Sequence, residues 1–177
     1  MTDPLDDIDL MHMGRMCFGH AARRTANLLT RHYNRHLAAL GLELTQAQLL
    51  AAIAEGSATS ASEIARFLGI DRSTLARNLK PLETAGLITR QDQGGRRVLP
   101  VLTSAGKNKV IEIHQTWSRA QTEISDLLGP DGAQAVRSHM SALRKAVHIL
   151  SGEIDTERPN LAGQSTQTIS SKSGRQT

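Results

Sequence analysis

The residues best suited to chemistry gather between positions 72 and 97. Arg72, Ser73, Thr74, Arg77, Asn78 and Lys80 stand close together, and Arg96 and Arg97 directly follow Gly94-Gly95. These types fit a nucleic acid. Arginine can be bidentate to guanine, asparagine to adenine, and small hydroxyls can meet bases or phosphates. At about 100° per residue, Ser73, Arg77 and Lys80 fall opposite Leu75, Leu79 and Leu82, with Thr74 and Asn78 at the margins. One helix would therefore bury leucines and present a basic, hydrogen-bonding face. An ordinary amphipathic helix with a charged outer face has the same pattern, so this helix alone does not decide. The paired arginines tip the balance, because arginines on a β-ribbon suit a narrow, electronegative minor groove. Residues 60–107 carry eight bases (Arg66, Arg72, Arg77, Lys80, Arg90, Arg96, Arg97, Lys107) against four acids.

Other chemistry is sparse. Cys17 is the only cysteine, which excludes an intrachain disulfide framework, and CxxC and HExxH spacings are absent. A thiol near a helix start suits oxidant sensing, or nucleophilic catalysis as in a thiol peroxidase. A small buried interface residue is the plainer role. The peroxidase reading lacks a resolving cysteine and a compact acid/base cluster, so no enzyme is expected. His32 and His36 share one helical face at a spacing that can hold zinc. No third ligand is evident near them in sequence, so no metal and no cofactor are expected.

The elements that must position these residues are mostly helical. One Trp, one Tyr and two Phe leave a core of Leu, Ile, Val and Ala, which favours helices over strands. A first helix is expected from about Met11 to Leu40 and a second from Gln46 to Glu55 with Thr45 as its cap. Ser60 and Glu63 match a capping box opening a helix that buries Ile64, Phe67 and Leu68. Ile70 fills the following turn, and Asp71 caps the helix from Arg72 to about Ala85. Two β-prone segments flanking Gly94-Gly95 predict a hairpin. Thr103 then caps a helix to Leu128, and Pro130 starts the last one, to about Leu150. Val110, Ile113, Trp117, Ala120, Ile124 and Leu127 form one heptad seam, and Val136, Met140, Leu143, Val147 and Leu150 another. A long first helix and two seams carry more apolar surface than one small winged unit covers, so a second chain is the expected partner.

Charge is unevenly placed. Residues 1–10 carry Asp3, Asp6, Asp7 and Asp9 and no base, whereas residues 11–150 hold 18 bases and 10 acids within a chain of net charge +4. That body suits a polyanion. The acidic start is unlike a secretory signal, and no apolar run approaches the roughly 18 residues of a membrane span, so a cytoplasmic protein is expected.

Helix, short turn, helix and basic hairpin follow the order of a winged helix-turn-helix. The runs Leu44-Thr-Gln-Ala-Gln-Leu, Ser62-Glu-Ile-Ala, Ile70-Asp-Arg-Ser-Thr-Leu-Ala-Arg-Asn-Leu-Lys-Pro-Leu-Glu-Thr-Ala-Gly-Leu-Ile, and Arg96 leading to Leu102-Thr-Ser-Ala-Gly resemble the MarR family of bacterial transcriptional regulators. The resemblance covers about residues 11–150. It implies a mostly α fold with a small β-hairpin wing, and a homodimer that offers two recognition helices to a palindromic site in double-stranded DNA. By this resemblance Ser73, Thr74, Arg77 and Asn78 would lie on the recognition helix and Arg96 would be the wing-tip arginine; Arg72, Lys80 and Arg97 join them as DNA-binding candidates from their own charge and placement. The resemblance also implies a repressor released by a small-molecule effector such as an aromatic acid. In some relatives release follows oxidation of a cysteine placed like Cys17. The resulting division is an acidic disordered tail over 1–10, a helical dimerisation region over 11–44 and 104–150, the winged unit over 45–103, and a disordered tail over 151–177. Two features depart from the family pattern. Gly94 stands where an Asp often braces the wing, and Pro81 lies inside the recognition helix, where it should kink the helix after Asn78. A protein-interaction module with a merely solvated basic face is the remaining alternative.

Overall fold

The computed structural model describes residues 8–58, 60–92 and 98–152. Most of each expected tail (1–7 and 153–177) lies outside these residues, as do Gly94, Arg96 and Arg97. Helices α1 (Leu10–Met16), α2 (Phe18–Leu37), α3 (Leu44–Glu55), α4 (Ala61–Leu68) and α5 (Arg72–Thr84) precede a hairpin of β1 (Ile88–Asp92) and β2 (Val98–Leu102). Helix α6 (Ser104–Ser151) closes the described chain and is broken at Gly129, whose φ of 69° and ψ of 166° belong to a region open essentially to glycine. Pro130 restarts the helix there, as the sequence indicates.

The core is built from the middle of the chain. Leu37, Leu42, Leu49, Leu50, Ile64, Leu75, Leu79, Leu82, Leu87, Ile88 and Ile113 form one buried cluster. Leu75, Leu79 and Leu82 are all buried, so the stripe read from their spacing faces inward as expected. Helix α3 lies at the centre, packing on α2, α4, α5, α6 and β2.

Several local expectations are corrected. The long first helix is interrupted at Cys17, whose ψ of 111° is extended, and α2 is followed by a short 3₁₀ turn, Ala38–Leu40. The Cys17 Sγ accepts the His20 N–H at 3.4 Å, so the thiol caps a new helix instead of lying within an old one. Gly14 and Gly19 flank the break and weaken helix propensity on both sides. Helix α3 starts earlier than expected, with Glu43 as its cap in place of Thr45. The Glu43 N–H donates to Gln46 Oε1 at 3.0 Å, a reciprocal box that outcompetes a threonine cap two residues on. Phe67, expected in the core, is 59% exposed. Ile64, Ala65 and Leu68 centre the inward face of α4, and Phe67 sits more than a quarter-turn to its side, so small Ala65 is buried instead. Helix α5, by contrast, runs past Pro81 to Thr84, as expected. The proline removes the N–H that would pair with the Arg77 carbonyl, yet the turn beyond it is held by the Ala85 N–H on the Pro81 carbonyl at 2.9 Å.

The hairpin is antiparallel, with Ile88 opposite Leu102, Arg90 opposite Pro100 and Asp92 opposite Val98. Its base is fixed by Thr103. The Thr103 N–H donates to the Leu87 carbonyl at 3.0 Å, and its hydroxyl lies 2.7 Å from the Gly86 carbonyl and accepts the Gly106 N–H at 3.1 Å. One residue therefore caps α6 and ties it to the chain leaving α5.

The two heptad seams fare differently. Ile113 and Ala120 are buried, but Trp117 and Leu127 are exposed. Beyond Gly129, Val136, Met140, Leu143, Val147 and Leu150 are all exposed, as are Leu10, Met11, Met13 and Met16 on α1 and Phe18 at the start of α2.

Candidate nucleic-acid interface

Helices α4 and α5 meet through the turn Gly69-Ile70-Asp71. The Ile70 N–H donates to the Ala65 carbonyl at 3.0 Å and half-buried Ile70 packs on the core, so the angle between the helices is held from both sides. With the leucine stripe buried, Arg72, Ser73, Arg77 and Lys80 are exposed and Thr74 and Asn78 half-buried. The sequence-derived face exists as one surface.

Asp71 organises its amino-terminal end. Ser73 Oγ donates to Asp71 Oδ1 at 2.5 Å, the Thr74 N–H donates to the same oxygen at 2.8 Å, and Thr74 Oγ1 donates to Oδ2 at 2.7 Å. The Ser73 hydroxyl first, then the Thr74 N–H and hydroxyl, hold the Asp71 carboxyl well below the usual carboxylate range. Arg77 Nη2 donates to Thr74 Oγ1 at 3.2 Å, and Asn78 Nδ2 donates to the Thr74 carbonyl at 2.8 Å. Arg72 donates to Ser62 Oγ and so ties α5 to α4. Sequence reading named the side chains but missed this ordering by Asp71 and Ser62. The Asp-x-Ser-Thr run was the available signal for the first, since an N-cap aspartate gathers the hydroxyls and N–H groups of the next turn.

Because the depressed Asp71 carboxyl favours the folded chain, its contribution is complete above the unfolded value near about pH 4 and fades as pH falls toward the lower folded value. Wild type and Asp71→Asn should therefore differ in urea midpoint near pH 6, and the gap should close in strong acid. Midpoints measured from pH 6 to 2 check this; a gap independent of pH contradicts it. The site is exposed, so solvent screening keeps the effect small.

Not every base in this region is available. Arg90 is bidentate to Glu83 (Nε to Oε1 at 2.5 Å, Nη2 to Oε2 at 3.3 Å), which raises its already high pKa and joins β1 to α5. Its charge is spent internally. Arg66, Arg72, Arg77 and Lys80 remain exposed on α4 and α5. Residues 93–97, which connect the paired ends Asp92 and Val98 and include Arg96 and Arg97, are outside the described residues. Cys17 is exposed, away from this surface in sequence and at the junction of α1 and α2.

A two-helix unit with an exposed basic second helix, followed by an antiparallel hairpin packed on its core, defines a winged helix-turn-helix. The model of the MarR family matches residues 40–97. No curated protein matches the chain. Among solved structures, the transcriptional regulator MosR of M. tuberculosis is 29% identical with a TM-score of 0.68, covering 77% of this chain and 98% of its own. MosR in complex with DNA is 28% identical at a TM-score of 0.66, covering 76% and 98%. The transcriptional repressor CouR bound to p-coumaroyl-CoA is 22% identical with a TM-score of 0.68, covering 77% and 98%, a likeness of fold. Residues 40–97 thus match the MarR family, and the described chain shares the winged helix-turn-helix fold of these transcriptional regulators. No single described helix is long and apolar enough to cross a membrane.

Proposed function

We propose that the protein is a homodimeric repressor that binds a palindromic site in double-stranded DNA and is released by a small molecule. The observation that carries this reading is the polar face of α5, exposed opposite three buried leucines and one turn from the hairpin base. Arg72, Ser73, Thr74, Arg77, Asn78 and Lys80 would face the major groove, and Arg96 and Arg97 would reach the minor groove. The Asp71 network refines their roles. A hydroxyl that donates to Asp71 has lone pairs left to offer, so Ser73 would accept from a base amino group, such as that of cytosine or adenine, instead of donating to a phosphate. Arg77, Arg72 and Lys80 supply the positive charge.

Dimerisation is supported by the exposed apolar residues at both ends of the described chain. A single subunit leaves Met140, Leu143, Val147 and Leu150 in water along one heptad seam, a surface of the kind that marks an interface. Two-fold symmetry would set the recognition helices about one DNA turn apart. Leu143→Glu with Val147→Glu should turn a dimer into a monomer by light scattering and lower operator affinity by more than tenfold; a dimer that survives both changes contradicts this interface. Release by a ligand is supported by fold likeness to CouR, a repressor solved with p-coumaroyl-CoA.

The test is a binding titration on DNA upstream of the protein's own gene at several salt concentrations, with aromatic acids and their thioesters then added. The logarithm of affinity should fall linearly with log salt, so that affinity drops by roughly 10³–10⁵-fold between 50 and 200 mM for a dimer making 6–10 phosphate contacts. Failure to bind any duplex at low salt refutes the reading.

A further inference from the structure

Helix α6 brings to the histidine pair of α2 the ligand that sequence reading did not find. His36 Nε2 lies 3.0 Å from Glu123 Oε2, and His32 Nε2 lies 3.7 Å from the same oxygen. One donor atom from each of the three residues falls within 4.8 Å of the others. The two rings stand edge to face with centroids 5.0 Å apart. We propose that His32, His36 and Glu123 form a binding site for a divalent transition metal such as zinc.

The distances favour it. A tetrahedral zinc ion with bonds of about 2.0–2.1 Å holds its ligand atoms about 3.3 Å apart, and the separations of 3.0 and 3.7 Å bracket that value. The donor set favours it too. Two imidazole nitrogens and one carboxylate oxygen suit zinc and its neighbours in the first transition row, and they leave a fourth position for water or another ligand. The side chains are unequally sheltered, with His32 18% exposed, His36 25% and Glu123 55%. The histidines would be preplaced while the glutamate closes from the solvent side.

Loading has a definite local cost. His32 Nε2 is 3.0 Å from the Ala120 carbonyl, and Arg35 Nη2 is 3.4 Å from His32 Nδ1. A metal at Nε2 competes with that carbonyl for the same nitrogen. The tautomer it requires carries its proton on Nδ1, where Arg35 now approaches. Metal binding thus exchanges a direct hydrogen bond between α2 and α6 for a bridge through the ion. The same face keeps a second tie, Tyr33 to Gln121 Oε1 at 2.5 Å, so the helices stay in register during the exchange. This inference does not depend on DNA binding.

The test is titration of the full chain, stripped with chelator, with Co²⁺ and then Zn²⁺ alone. We expect one Co²⁺ per chain with the intense visible bands of a tetrahedral nitrogen–oxygen site, displaced by Zn²⁺, and a rise in thermal midpoint with either metal. Glu123→Gln preserves a hydrogen-bonding partner for His36 but removes the anionic ligand, and it lies at an exposed position where folding should survive. It should weaken binding at least tenfold, and His32→Gln with His36→Gln should abolish the visible bands. Absence of saturable binding at 100 μM metal overturns the proposal. So do unchanged affinity and spectrum in both variants, because the metal would then sit elsewhere.

Discussion

Gly106→Ala is expected to destabilise the chain by about 2 kcal/mol or more, although alanine is ordinarily the better helix former. In an open helix the exchange would gain up to about 1 kcal/mol. Here an added Cβ would overlap the Leu87 carbonyl oxygen outright, come within 3.0 Å of its carbon, and lie 3.2 Å from Leu102 Cδ2. The obstacle is backbone that already accepts the Thr103 N–H at 3.0 Å, so it cannot rotate aside as a side chain would. Overpacking of this kind costs about 1–3 kcal/mol or more, and at a rigid carbonyl the upper part of that range applies. Gly132→Ala is the control. It lies in the same helix, its new Cβ would meet only Leu128 Cβ at an ordinary 3.5 Å, and it should be neutral or mildly stabilising. Urea denaturation of both variants separates the effects. Equal stabilities would mean that α6 does not press on the hairpin base. Because Leu87 leads into β1, the first variant should also lose DNA affinity through a displaced hairpin.

Arg77→Ala is expected to weaken binding to the preferred duplex by about 1–3 kcal/mol, roughly five- to 150-fold, and to relax base preference at one position in each half-site. Arg77 is exposed at the centre of the α5 face, and its Nη2 rests 3.2 Å from Thr74 Oγ1, which points the guanidinium along the helix toward the Asp71 end. Losing a base contact removes discrimination as well as affinity. Arg96→Ala should behave differently, lowering affinity evenly across sequences and reducing the salt slope by about one. Competition titrations against a panel of single-base operator variants distinguish the two. If Arg77→Ala shifts every sequence equally, the residue is a phosphate contact and the helix docks in another register.

The Arg90–Glu83 pair shows why counting charges overstates a binding surface. Eight bases lie between residues 60 and 107, yet one of them spends its donors on a neighbour seven residues away. The Asp71 network shows the same for hydroxyls: Ser73 and Thr74 are placed as expected but already donate inward.

What the sequence determined by itself lies within a few residues of each signal. Ser60, Asp71 and Thr103 accept N–H groups three residues ahead, and the leucines at 75, 79 and 82 repeat at helical spacing. Both depend on geometry inside one or two turns, so they are legible without knowing the fold. Glu43 defeats Thr45 as a cap because two local capping positions overlap, and pattern alone does not rank them. Only the tertiary structure decided that Phe67 stays in water, that the seam before Gly129 is partly covered while the one after it is bare, that Gly106 bears on Leu87, and that Glu123 meets His36 across 87 positions. Each of these depends on which faces of distant helices come together. That choice is made by the packing of the whole core, and no stretch of neighbouring residues contains it.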